Sequence, residues 1–422
     1  MSLIENVTVG WFTRIGASFS GIGVGFVLFI LGSVLLWWNE GDYVETNLSL
    51  KEAHNISREI DDIATLDSSL NGQVVHATGF ADTQDILIDP VFNIRTRAIA
   101  LERSVEFYQW TEQRRTETKE KLGGGKETIT TYSYVKNWVS KPIESSQFKD
   151  SNISSYNAQG VLLPLEGYGT RAVNVSLGAY RLPPFFINSI SGTIPLAVEL
   201  SERTRDELTQ QIALAVLQRN HSSQASSSPP PYLQDSPSKP EDYLHTYGNS
   251  IYIGISPAVP QVGDIRVTFR EIRPAYISII ARVSGDTFER YRTSNGKTIS
   301  KLSMGTLSME NMFGDAHDGN SFATWILRFL GIGLVVTGLG IFFAPLSIIA
   351  AFIPLLGAIV SAGTGIVCLL LGLSWSLVIM SVAWFRFRPL EGAVMLLIAS
   401  GLAALLYRRG RKKKAVAQIP QT

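Results

Sequence analysis

The residues that could do chemistry in this chain are few and scattered. The five histidines, His54, His76, His221, His245 and His317, show no paired spacing and no neighbouring cysteine. A zinc site needs three or four such ligands, usually at short recurring intervals. No metal and no cofactor are therefore expected. No G-x-S-x-G elbow is present to raise a serine nucleophile. Gly123, Gly124 and Gly125 interrupt a charged stretch, but they lack the Gly-Lys-Ser/Thr ending of a phosphate loop and precede no helix pattern. Glu102, Glu106 and Glu112 alternate with Arg103, Arg114 and Arg115. These offer acid–base groups, but cross-strand ion pairing on a solvated sheet face accounts for them more simply. The chain is therefore read as a non-enzyme.

Aromatic residues are the more informative set. Phe107, Tyr108, Trp110, Tyr132, Tyr134 and Trp138 cluster in two neighbouring segments. They can pack across strands, or they can offer a face to a partner domain, lipid headgroups or another subunit. Tyr108, Trp110, Tyr134 and Trp138 form the candidate interaction face.

The elements that must position these rings are strands. In "AIALERSVEFYQWTEQ", Leu101, Arg103, Val105 and Phe107 alternate with Glu102, Glu106, Tyr108 and Trp110. "TITTYSYVKNWV" resumes the alternation after the glycines, which predicts a long β-hairpin. "GQVVHATGF", "SIYIGI", "DIRVTFREI", "AYISIIARV" and "FERYRT" read as further strands. "SERTRDELTQQIALAVLQ" predicts an amphipathic helix opening at Ser201, with Leu208, Ile212, Ala215 and Leu217 on or near one side. The Ser/Pro-rich stretch 221–242 cannot build a core and reads as a linker. It divides an extramembrane lobe at 39–220 from a second at 243–325. The expected fold class is α+β and strand-rich.

Apolar runs bracket this domain. Ile15 to Trp38 is free of charge and long enough to cross the ~30 Å hydrocarbon layer. It exceeds a signal-peptide core and ends in "LLWWNEG", without a small-residue cleavage site, so it reads as an uncleaved anchor. Residues 326–407 hold the rest of the anchor, about four spans in all. From Ile326 to Trp384 the chain is nearly uncharged around Pro345 and Pro354. Two full spans are favoured there over a re-entrant half-helix, and Leu390 to Tyr407 is the last span. Asp, Glu, Lys and His are absent from the first run and from Ile326 to Trp384. Ion and proton paths usually use such groups, so a pump or coupled transporter is not expected. Gly21 and Gly25, four apart, are candidates for close helix packing.

Charge sets the expected orientation. Overall the chain is nearly neutral, with Lys+Arg 37 against Asp+Glu 36, so no nucleic-acid partner is expected. The basic residues near the spans are Arg14 before the first and Arg408, Arg409, Arg411, Lys412, Lys413 and Lys414 after the last. Both flanks, 1–14 and 408–422, read as cytoplasmic, with the large domain opposite. Arg386 and Arg388 fall on the other side and do not outweigh those seven. The basic tail is also the candidate contact for anionic lipid. The one cysteine, Cys368, lies inside a membrane run, so no disulfide within the chain is available.

Ordered motifs along the whole chain resemble the transmembrane protein 43 (LUMA) family. They are Asn39, Glu40 and Gly41 after the first span, and Arg103, Val105, Glu106, Tyr108, Gln109 and Trp110 in "RSVEFYQW". Trp138, Ile143, Ser145 and Phe148 follow. Val262, Gly263, Asp264, Arg266 and Val267 come next, then Ile280, Ala281, Arg282, Gly285 and Asp286, and finally "FRPL" from Phe387 to Leu390. The resemblance implies one N-terminal span, a large luminal domain, a C-terminal membrane cluster and a self-associating scaffold. Animal members lie in the endoplasmic reticulum and inner nuclear membrane, and partner with lamins and emerin. The short N-terminus and the Ser/Pro stretch depart from them, as in a distant member such as a bacterial one. Lamin partnership is therefore not carried over.

The expected function is a membrane scaffold that self-associates in the lipid bilayer and presents its domain to other membrane proteins. That domain would face the periplasm in a bacterium, or the lumen in a eukaryote. The competing expectation is a membrane passage or lipid-handling device using the glycine-rich C-terminal spans.

Overall fold

A computed structural model describes residues 2–121, 125–153, 156–157, 161–224, 239–350 and 354–390. The last predicted span beyond Leu390 and the basic tail lie outside the described residues, as does most of the Ser/Pro stretch.

The hairpin predicted from the aromatic alternation is the spine of the larger sheet. Its strands, Ala100–Glu120 and Lys126–Val139, pair antiparallel from Phe107↔Val139 to Glu120↔Lys126. Leu101, Arg103, Val105 and Phe107 face inward, while Glu102, Glu106, Tyr108 and Trp110 are only partly covered. On one side the hairpin pairs with Ile265–Ile272, which continues to Ser250–Ile253 and Leu244–Tyr247. On the other side it pairs with an N-terminal strand, Ser2–Val9. This strand lies within the segment predicted as a short flank.

In the second sheet, Val74–Thr83 and Ala275–Ser284 pair antiparallel. Thr287–Glu289, Tyr180–Arg181 and Val175–Leu177 close those two strands into a ring. Most of the buried apolar side chains lie in one cluster shared by the two sheets. It includes Phe92, Phe107, Phe186, Phe269, Phe288 and Ile279. The stretches on either side of the Ser/Pro segment are therefore not separate lobes. Strands from one pair directly with strands from the other in both sheets. Such pairings are long-range, and local periodicity does not report them.

Among the described residues six α-helices complete the fold: α1 Trp11–Ile56, α2 Pro184–Ile187, α3 Glu202–Gln224, α4 Met309–Phe342, α5 Ala344–Ala350 and α6 Pro354–Phe387. α3 buries Leu208 and Ile212 but leaves Leu214 and Leu217 exposed. α4 starts at Ser308, whose hydroxyl caps the Asn311 N–H (3.3 Å). α1 does not stop at Trp38. It continues as one rod of about 69 Å, and its Leu50 and Ala53 pack with Val74, Ile280, Ile299, Met312 and Phe313. Three helices among the described residues are long and apolar enough to span a membrane: α1, α4 and the Gly363–Phe387 part of α6. Three of the about four expected spans thus fall among the described residues, and the expected last one, Leu390 to Tyr407, lies outside them. Pro345 lies in the short α5 and Pro354 opens α6, between two helices that are each long and apolar enough to span.

Candidate membrane anchor and interaction surface

Small residues at seven-residue spacing bring α1 and α4 together. Ser18, Gly25, Gly32 and Asn39 are buried on α1, and Thr324, Gly331 and Gly338 on α4. A Cβ at Gly25 would lie 2.7 Å from the Gly338 carbonyl oxygen, and one at Gly338 would lie 2.6 Å from the Phe29 nitrogen. A Cβ at Gly32 would come within 2.8 Å of the Gly331 oxygen. The two backbones touch, which only glycine permits in lipid-embedded helices. Gly21 is looser, facing the Ile341 side chain at 3.4 Å. Gly25 therefore packs within the chain, and Gly372 of α6 packs likewise on Val336 of α4.

The junction of anchor and domain is built from Asn39, Glu40 and Gly41. Asn39 donates its side-chain N–H to the Thr324 carbonyl (3.2 Å). Glu40 is 1% exposed and accepts two hydrogen bonds from Arg328, at 2.6 and 2.7 Å. The Trp384 indole N–H also donates to it (2.8 Å). Gly41 lies against the Phe387 ring, which would be 2.7 Å from a Cβ. Three consecutive residues thus hold α1, α4 and α6 together. Above them, Lys297 pairs with Asp42 (2.6 Å) and Ser49 bonds Thr293 (3.1 Å). Glu52 accepts from Tyr291 (2.8 Å) and from both the hydroxyl and the N–H of Ser294. These bonds to Ser294 and Tyr291 hold the Glu52 carboxyl below its usual range.

Aromatic residues mark both ends of the bundle. Trp37, Trp38 and Trp325 sit at the domain end. At the other end the Trp11 indole N–H donates to the Ile348 carbonyl (2.7 Å). This is the arrangement of two interfacial belts. Arg386 and Arg388 lie at the domain end, over the rings of Phe387 and Tyr43.

The four predicted surface aromatics fall on one face of the hairpin. Tyr108 lies opposite Trp138 (5.2 Å between rings), and Glu112 opposite Tyr134. Part of this face is covered by the chain itself. Tyr134 is buried beside Phe148, and Tyr156 packs on Trp110. The Tyr134 hydroxyl donates to Glu112 (2.8 Å), and burial with that bond pushes its pKa up to about 12. Tyr108 and Trp138 remain half-buried at the rim. There Arg266 stacks on Trp138 (4.5 Å) and pairs with Glu106 (2.7 Å). Of the acid–base set, Glu106, Arg103 and Arg115 are engaged in ion pairs. Arg103 holds the buried Asp89 through two 2.7 Å bonds, and Asp89 caps the turn at Val91 and Phe92.

His76 bonds the Leu307 carbonyl, His245 that of Gly254, and His317 the Asn47 side chain, while His54 stacks on Phe313. Among the described residues no three His, Cys, Asp or Glu side chains gather as a metal site. Sequence reasoning missed Arg328. The one signal was an arginine two residues inside an otherwise uncharged run, one span away from a lone membrane-flanking glutamate.

The comparisons with known proteins match this architecture. The family model for transmembrane protein 43 matches residues 107–389, from the hairpin through the third membrane helix. The chain belongs to the transmembrane protein 43 family. Transmembrane protein 43 of Homo sapiens is 26% identical over 414 residues, covering 95% of this chain and 92% of the human protein. The Rattus norvegicus protein is 26% identical over 396 residues (92% and 89%), and the Drosophila melanogaster homolog 27% over 399 residues (88% and 90%). No solved structure matches the chain. Family membership and the three apolar helices make this an integral membrane protein.

Proposed function

We propose that this chain is a non-enzymatic membrane scaffold. Its helices anchor it, and it holds a large strand-rich domain on one side of the membrane. That side is the periplasm of a bacterium or the lumen of a eukaryote, with both basic flanks in the cytoplasm. The domain assembles with further copies and with other membrane proteins. The observation that carries this reading is the junction at Asn39, Glu40 and Gly41, where three helices are locked together and α1 runs on unbroken into the domain. A domain mounted this rigidly holds a fixed orientation over the bilayer, as a scaffold requires. The half-buried rim of Tyr108, Trp138 and Arg266 is the surface offered to partners; aromatic and arginine side chains are enriched at interface centres.

A passage through the glycine-rich spans is less well supported. Gly331, Gly338 and Gly372 are occupied in helix packing. The test is a photo-crosslinking residue at Trp138 in native membranes. The scaffold reading expects adducts with a second copy or another membrane protein. Adducts with neither, beside efficient labelling from a control position in the same membranes, would contradict it.

A further inference from the structure

Two rods leave the domain together and meet again at their far ends. One is α1, which covers about 44 Å from Glu40 back to Trp11. The other is the long hairpin. Tyr108 is fixed to the domain by its N–H bond to the Asp264 carbonyl (2.9 Å), and from there to Glu120 the hairpin covers about 40 Å. At the far end Arg14 donates to Glu120 (3.3 Å). The strand Ser2–Val9 then pairs along the hairpin from Val9↔Lys126 to Ser2↔Ser133. Glu5 reinforces it, accepting from Lys149 (3.0 Å) and Tyr132 (3.1 Å).

The apolar part of α1 lies between these shared ends. With α1 across a bilayer and the N-terminal strand still paired, the hairpin would stand at hydrocarbon depth. Its surface cannot stay there. The Arg115 side chain is 82% exposed and Glu117 55%, and Arg114, Thr116, Thr118 and Lys119 beside them are exposed too. Hydrocarbon excludes open sheet edges and charged side chains turned outward to lipid, even where two of them pair with each other, as Arg115 and Glu117 do (3.2 Å).

We propose that pairing of Ser2–Val9 with the hairpin and insertion of α1 are alternative states of the chain. Before insertion the strand covers the Lys126–Ser133 edge and straps the start of α1 to the hairpin. Insertion strips the strand away and carries it across the bilayer. The hairpin edge from Lys126 to Ser133 is then left without its strand on the domain side.

Ile4 and Thr131 are register partners, and so are Thr116 and Thr130 within the hairpin. The experiment makes two full-length variants in a Cys368→Ala background. One carries Ile4→Cys with Thr131→Cys, the other Thr116→Cys with Thr130→Cys. Each is synthesised cell-free with and without membrane vesicles, oxidised, and mapped by mass spectrometry. The hairpin pair should crosslink in both conditions. The strap pair should crosslink without vesicles and fall to background in the vesicle-inserted fraction. Equal strap crosslinking in the inserted fraction would overturn the proposal. So would a strap pair that stays open without vesicles, or a hairpin pair that never closes, because the edge that holds the strap would then not exist.

Discussion

Glu40 of α1 and Arg328 of α4 form a two-bond ion pair at the mouth of the membrane bundle, with Trp384 of α6 as a third partner. Neither side chain has much water around it: Arg328 is 13% exposed and Glu40 1%. A pair this buried adds little net stability over an apolar pair, but breaking it is costly. Glu40→Gln should therefore destabilise the bundle by about 3–5 kcal/mol, and Glu40→Leu with Arg328→Met should recover most of that loss. Thermal unfolding of the parent and these two variants in nanodiscs checks this. A double variant as damaged as the single would mean that the pair is not the source of the loss.

The glycines of α4 should split sharply. Gly338 has backbone atoms 2.6 and 2.7 Å from any added Cβ, whereas Gly340 has nothing within 4 Å. Gly338→Leu must push the helices apart and should cost on the order of 1–3 kcal/mol or more, as overpacking does. Gly340→Leu should melt within about 0.5 kcal/mol of the parent. Equal effects at the two positions would show that α1 and α4 do not meet at this face.

Trp110 packs on Tyr156 (5.1 Å) under Lys136, but it is only partly buried. Trp110→Ala should destabilise the domain by less than the ~3–5 kcal/mol of a fully buried ring. Chemical denaturation of the purified protein measures it. A loss of oligomeric state with an unchanged midpoint would instead make Trp110 a partner contact.

Tyr134 gives a pH signature. Its folded pKa, pushed up to about 12, exceeds the ordinary value of 10.0. The neutral phenol is what the fold stabilises. Its contribution is complete below pH 10 and is lost as pH climbs towards about 12. Melting temperatures of the parent should fall more steeply over that window than those of Tyr134→Phe. Parallel curves would mean that the Tyr134–Glu112 bond does not distinguish the two ionisation states.

Local patterns in the sequence located the long hairpin, the inward face of Leu101, Arg103, Val105 and Phe107, and the apolar runs. These depend on periods of two or on length, which a single segment displays. The Glu40–Arg328 pair was not legible, because it joins residues 288 apart that become neighbours only when two spans lie antiparallel. The continuation of α1 past Trp38 was hidden for a related reason. Asn39 to Asp42 read as a polar stop after an apolar run, yet the helix persists because α4 runs beside it and supplies Thr324, Asn320 and His317 as partners. The pairing of Ala100–Glu120 with Ile265–Ile272 crosses the Ser/Pro stretch, so composition divided what the sheets unite.

The scaffold reading turns most directly on self-association. The purified full-length chain, held in lipid nanodiscs or mild detergent, should be weighed by sedimentation or mass photometry across a wide concentration range. The account predicts protein masses at multiples of 46.3 kDa that grow with concentration. It also predicts that Tyr108→Ser with Trp138→Ser returns the mass to a single copy while the domain stays folded, with a melting temperature lowered no further than by Trp110→Ala. A single 46.3 kDa species at every concentration, in a lipid environment where the fold is intact, would contradict it.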